Sequence, residues 1–222
     1  SAAAQLDDLV SFNEDTMEIS LSTTKALETS DAVCAFYGPH NNAKLCYTYG
    51  FVEENNPFKS IDMYPRVQPD SPNGQICLAH PTTAALQTYD FSGTIFPTGV
   101  SQSLLMTLRI LQMTDTERDI CIEMDADGTV ASRVFEGHLV SLRNEAAALS
   151  ALHEMIINKV EQLPLADLEQ AGENVETLKA ELASLEEEED SEEKAAKERA
   201  FMLAVIYRDE LDVLINCLNL IT

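Results

Sequence analysis

Most of the signatures by which a sequence announces an enzyme are missing from this chain. It has no GxSxG, no P-loop, no HExxH and no paired carboxylates at a catalytic spacing, which removes the common hydrolase, nucleotide-binding and zinc-peptidase schemes. Five cysteines, Cys34, Cys46, Cys77, Cys121 and Cys217, form no CxxC and no even framework, and no Asn-x-Ser/Thr sequon occurs. That usage points to an intracellular, reducing compartment and to small buried apolar side chains rather than to zinc or redox chemistry. Long apolar runs are lacking too. None approaches the ~20 residues that span a bilayer, and the opening SAAAQLDD lacks the basic, apolar, small-residue order of a signal peptide. It reads as a cut edge.

Positive charge is the scarcest commodity: 14 basic residues face 38 acidic ones, for a formal charge of -24. A field of that sign repels phosphate backbones and anionic membranes, and no local basic patch relieves it, so neither nucleic acid nor membrane is expected as a partner. It attracts a basic protein, although solubility alone explains the same acidity. What is present in quantity is core material. With 45% apolar residues in 222, the chain can build one large domain or two small ones.

The patterning predicts an α+β chain that is mostly helical towards its C-terminus. Ile19 and Leu21 alternate with Glu18, Ser20 and Ser22 as a strand, a polar connection follows, and Val33 to Tyr37 form a second strand able to pair with it. Asn42 to Tyr49 suits two turns of helix, capped near Asn41 or Asn42 and stopped at Gly50. Glu53 to Pro57 breaks regular structure, Ile61 to Val67 reads as an edge strand because of Pro65, and residues up to 100 read as loops and short pieces.

Helix returns at Ser101 with Leu104, Leu105, Leu108 and Leu111 on one face, and Thr114 with Glu117 has capping-box spacing. Two long helices follow. Ser141 to Leu163 carries Leu142, Ala146, Leu149, Leu152, Ile156, Val160 and Leu163, and Pro164 ends it. Glu192 to Leu220 carries Ala196, Ala200, Leu203, Ala204, Tyr207, Leu211, Leu214 and Leu218, and the two suggest side-by-side packing. Between them, Leu165 to Asp190 is amphipathic and then ends in a run of acids read as a solvated helix end or loop. Asp125 to Glu136 imitates a calcium loop, but Val130 stands where a glycine is required, so it reads as an ordinary turn and no metal is expected.

One stretch is more specific than any of this. YGPHNNAKLCYTYGFVEENNPF, Tyr37 to Phe58, resembles the end of the SET domain in the Rubisco large-subunit methyltransferase family, whose members look like YGxxSNAxLLxxYGF followed by acidic and asparagine-rich sequence. Asn41 stands where the family usually has Ser, and Thr29-Ser30-Asp31 where its preceding turn carries Lys-Gly-Glu. Weaker echoes of the family's helical domain are LRILQMTDTE (Leu108 to Glu117), VSLRNE (Val140 to Glu145) and KERAFMLAVIYRDELDVL (Lys197 to Leu214).

The resemblance implies a SET-domain remnant built on a short β-hairpin over residues 1–58 and a helical substrate-binding domain over 59–222. It implies S-adenosylmethionine as cofactor, a protein substrate whose lysine is methylated, Tyr37 as the catalytic phenol and Phe51 as the aromatic packed near the cofactor's adenine. Asn41, Asn42 and Tyr49 are read as loop and packing residues. The family also uses an early glycine-containing segment and an Asn-His pair, and this chain contains no Asn-His; its histidines His40, His80, His138 and His153 stand isolated. The expectation is therefore the C-terminal part of a longer enzyme, inactive by itself and cytoplasmic, with nucleus or plastid as alternatives. Two other readings stay open: a non-catalytic interaction module derived from a SET protein, and an unrelated acidic helical adaptor.

Overall fold

The computed structural model describes residues 10–22, 28, 36–78, 93–121, 123–124, 130–131, 138–164, 167–184 and 191–222. The chain divides into two compact units, Ser1–Gly38 and Pro39–Thr222. The architecture is α+β with a helical C-terminal part, as the patterning predicts. No helix among the described residues is long and apolar enough to cross a membrane.

The first unit contains an antiparallel hairpin of β1 (Val10–Asn13) and β2 (Glu18–Leu21), with Phe12 opposite Ile19. Asn13 makes the turn by accepting hydrogen bonds on its side-chain oxygen from the backbone of Asp15 and Thr16, at 3.0 and 3.2 Å. Here β2 pairs with the strand before it. The partner expected at Val33 to Tyr37 falls largely outside the described residues, and Phe36 and Tyr37 carry no strand.

The second unit opens with α1 (Asn42–Tyr49), whose N-cap Asn41 and left-handed C-cap Gly50 stand where the sequence places them. A three-stranded antiparallel sheet follows, in the order β3 (Ile61–Met63), β4 (Gly93–Phe96), β5 (Gly99–Val100). The strand expected at Ile61 is present at the sheet edge, shortened to end before Pro65. The short pieces expected up to residue 100 are, among the described residues, β4, β5 and the helix α2 (Pro72–Leu78).

Then come α3 (Gln102–Leu111) and α4 (Asp115–Cys121). The capping box at α4 is realised in both directions: the Thr114 amide donates to Glu117 Oε2 at 3.0 Å and the Glu117 amide to Thr114 Oγ1 at 3.3 Å. Two short strands, β6 (Glu123–Met124) and β7 (Val130–Ala131), pair antiparallel. They flank the calcium-like stretch, most of which lies outside the described residues. Three helices end the chain: α5 (Leu142–Glu161), α6 (Leu168–Ser184) and α7 (Ser191–Ile221). The amphipathic first part of the segment between the long helices is thus a helix of its own, and the run of acids after it lies outside the described residues.

The main core lies where the sheet meets α3, α5 and α7, through Ile61, Met63, Ile95, Leu104, Leu108, Leu152, Ile156, Val213, Leu214 and Cys217. Gly93 is required there: a Cβ at this position would stand 2.2 Å from Leu104 Cβ and 2.6 Å from Leu104 Cα, so only glycine lets α3 sit directly on β4. A second cluster joins α2 to α3 through Ile76, Cys77, Ile110 and Met113. A third joins α6 to α7 through Val175, Ala204 and Val205.

The long helices bury most of their expected faces. On and just after α5, Leu149, Leu152, Ile156, Val160 and Leu163 pack in the main core and the unexpected Asn144 and Ala148 are buried beside them, while Leu142 is 84% exposed. On α7, Val205, Ile206, Val213 and Cys217 are buried beside the expected Ala204, Leu211 and Leu214, because this helix packs on α6 as well as on the main core.

Candidate functional site

The motif from Tyr37 to Phe58 spans both units, Tyr37 lying in the first and Phe51 in the second. The Tyr37 side chain is 49% exposed and Phe51 37% exposed. Phe51 lies in a short aromatic series with its ring centroid 6.4 Å from that of Tyr49, which stacks at 6.4 Å on His40. The chain therefore presents a partly open aromatic surface beside α1.

The motif's asparagines are spent on internal bonds. Asn41 accepts from the Lys44 amide at 2.8 Å as N-cap, and its amide donates to the Ser60 carbonyl at 2.9 Å. Asn42 is buried and saturated: it donates to Glu53 O at 2.8 Å and to Asp209 Oδ2 at 2.7 Å, while its oxygen accepts from the Glu53 amide at 2.8 Å. Asn56, also buried, donates to His40 O at 2.9 Å. These bonds hold the entry and exit of α1 to each other and to α7.

Asp209 is the hub. Its carboxylate takes Asn42, Lys59 at 3.3 Å and Arg208 at 3.0 Å, and Lys59 reaches on to Asp212 at 2.8 Å. Burial on its own would lower the ammonium pKa of Lys59, but the hydrogen bond to Asp212 and the charge of Asp209 outweigh it and hold the pKa above its ordinary value. A buried carboxylate held by two cations and an amide is a fixed structural charge. It ties the motif to the last helix.

A cleft of about 630 Å³ opens beside this network, with His40, Asn41, Lys44, Ser60, Lys159 and Glu210 in its walls. Burial raises the pKa of Glu210, and Lys159, 3.8 Å away, partly offsets the rise. Composition and spacing do not reveal this cleft, because Lys44, Lys159 and Glu210 come from three separate helices. The network was partly legible: the Arg208-Asp209 pair inside an otherwise apolar helix pattern is the visible signal.

A second polar joint links two of the weaker family echoes. Arg109, buried on α3, forms a two-point ion pair with Glu145 at 2.6 and 2.9 Å, and Asn144 donates to the Arg109 carbonyl at 2.9 Å. Both features are internal, so they serve packing. Among the described residues no group of three or more His, Cys, Asp or Glu is arranged to hold a metal ion.

No family model matches the chain. An alignment of 157 positions that covers 68% of this chain is 28% identical to mouse SET domain-containing protein 4 and covers 33% of that protein. The chain is a distant relative of a SET-domain protein. It spans about a third of the length of the relative it matches. The surface that the sequence motif marks is the aromatic series beside α1 and the cleft next to it, with a polar network that α7 anchors alongside.

Proposed function

We propose that the chain is the C-terminal portion of an S-adenosylmethionine-dependent protein-lysine N-methyltransferase of the Rubisco large-subunit methyltransferase type, in which the helical part docks the protein substrate. The observation that carries this reading is the run from Tyr37 to Phe58, set in a capped helix and joined to α7 through Asn42 and Asp209.

The cofactor supplies a methyl group on a sulfonium. A lysine of ordinary pKa, ~10.4, must approach it neutral and in line, so the protein's task is to orient and desolvate the amine. Tyr37 is the phenol assigned to that task, by hydrogen bonding and electrostatics. Phe51 offers a partly open apolar ring beside Tyr49, which suits one side of an adenine. The glycine segment and Asn-His pair that the family also uses are not in this sequence, so the 222-residue chain alone is expected to bind no cofactor and to transfer no methyl.

The test is methyl transfer from labelled S-adenosylmethionine to a set of basic proteins. The isolated chain should be inactive, a longer protein containing it active, and Tyr37→Phe in that longer protein slower by about a hundredfold. A wild-type rate in the Tyr37→Phe variant, or methyl transfer by the isolated chain, overturns the assignment.

One observation favours a second reading, a non-catalytic interaction module. Asn41, Asn42 and Asn56, three polar side chains of the motif, serve the fold rather than a ligand. On that reading the longer protein transfers no methyl yet still binds its partner.

A further inference from the structure

The chain after β3, the start of α2 and the turn between α3 and α4 enclose a cleft of about 420 Å³, a volume in the range of small-molecule sites. Its charged walls are Arg66, Arg118 and Asp115, two guanidiniums against one carboxylate. In a chain of formal charge -24 that surplus stands out. The cleft beside α1 sets Lys44 and Lys159 against Asp62 and Glu210, and the apolar groove between α6 and α7 has no charged side chain in its walls.

The two arginines are prepared differently. Arg118, on α4, has a side chain 21% exposed and fixed in place: it donates to Asn73 Oδ1 at 3.1 Å and to Asp115 Oδ1 at 2.7 Å. The Asn73 amide in turn donates to the carbonyls of Leu111 and Met113 at 3.3 and 2.9 Å. A guanidinium has five N–H donors, so these bonds leave most of the Arg118 fork unspent. Arg66 is exposed and, among the described residues, makes no hydrogen bond or ion pair; the side-chain amides of Gln68 and Gln112, also in the walls, are likewise unengaged.

A fixed guanidinium sharing a cleft with an uncommitted one suits a planar oxyanion, which can take paired N–H bonds from an arginine fork. The balance of charge favours a single negative charge. A carboxylate cancels the surplus, whereas a phosphate monoester, at about -1.5 to -2, overshoots it in a chain already acidic. Pro72, Leu111 and Met113 give the same cleft an apolar side, and the amides of Gln68 and Gln112 can pair with an amide next to the carboxylate.

We propose that this cleft binds a small ligand carrying one carboxylate beside an amide and an apolar group, the chemistry of an acylated amino acid or of the last residue of a peptide, with Arg66 and Arg118 holding the carboxylate. The site lies within the second unit and stands independently of the methyltransferase reading.

The experiment is an NMR titration of the 222-residue chain with N-acetyl-leucine, N-acetyl-leucinamide and inorganic phosphate, read on the side-chain amide signals of Gln68 and Gln112. N-acetyl-leucine should bind with a Kd of about 1–10 mM, and about tenfold tighter than its amide, which lacks only the charge. Phosphate should bind more weakly than N-acetyl-leucine. Arg66→Gln should weaken binding of N-acetyl-leucine by about tenfold, and Arg66→Lys, which keeps the charge without the fork, should recover part of the loss. Lys44→Gln removes the same charge from the cleft beside α1 and should change nothing. Circular dichroism should show all three variants folded.

Equal binding of the amide, or undiminished binding by Arg66→Gln, overturns the proposal. So does an equal loss in Lys44→Gln, because the attraction is then diffuse charge, and so does tighter binding of phosphate. Acetyl-Ala-Ala-Leu separates the two sources of the carboxylate: binding at least as tight as that of N-acetyl-leucine assigns the peptide end, and weaker binding assigns the free acid.

Discussion

The β1–β2 hairpin and the β3–β4–β5 sheet are both small and antiparallel, and burial separates them. Phe12 and Ile19 face each other across the hairpin at 54% and 69% exposure, whereas Ile61 and Ile95, paired in the sheet, are 4% and 0% exposed. Alternation makes a strand; only a second layer makes a core. The sheet has that layer in α3, α5 and α7. Among the described residues of the first unit whose exposure is known, none is buried.

The largest expected effect sharpens that contrast. Leu152→Ala, at a fully buried position of the main core, should cost about 2–5 kcal/mol in urea unfolding followed by circular dichroism. Ile19→Ala in the hairpin should stay within about 0.5 kcal/mol. Equal costs at the two sites would break the comparison.

Next in size is the joint between the motif and the last helix. Asp209→Ala removes one of the two carboxylates that hold Lys59 and leaves the buried Asn42 amide short of an acceptor, so a loss of about 2–3 kcal/mol is expected in the same unfolding measurement. Loss of under half that would show that the network holds α1 less firmly than its geometry implies.

The smallest effect is a pH dependence. Hydrogen bonds from Arg143 and Ser141, with the Thr114 backbone and hydroxyl, hold the Glu117 carboxyl at about 2, below the ordinary 4.5. A carboxyl depressed by folding stabilises above its unfolded value, and the contribution fades as pH falls through its folded one. Glu117→Gln should therefore cost up to about 1 kcal/mol at neutral pH, Arg143 being half exposed. The gap between variant and wild type should close as pH drops from 4.5 towards 2. A gap unchanged across that window removes the assigned cause.

How much of this was legible depended on the range of the interactions involved. The α1 helix was readable to the residue because Asn41 and Gly50 act through hydrogen bonds a few residues away, and Thr114 with Glu117 was readable for the same reason. The strands β4 and β5 were not, since four and two residues carry little periodicity and Gly93 is explained only by Leu104 across the interface. Among the candidate residues, Tyr37 and Phe51 were each marked by the motif; in the cleft of the second unit, Lys159 and Glu210 were invisible because long helices carry them there from distant positions.

Order within a few residues, the overall acid excess, the helical C-terminal half and the likeness to SET proteins were settled by the amino-acid sequence alone, because caps, breakers and composition act locally or in bulk. That Asn144 and Ala148 are buried on α5 while Leu142 is exposed was settled only in three dimensions. So were the joining of Asn42 to Asp209 across the chain and the apolar groove opened by α6 against α7. Packing brings together residues whose spacing along the chain carries no record of their meeting.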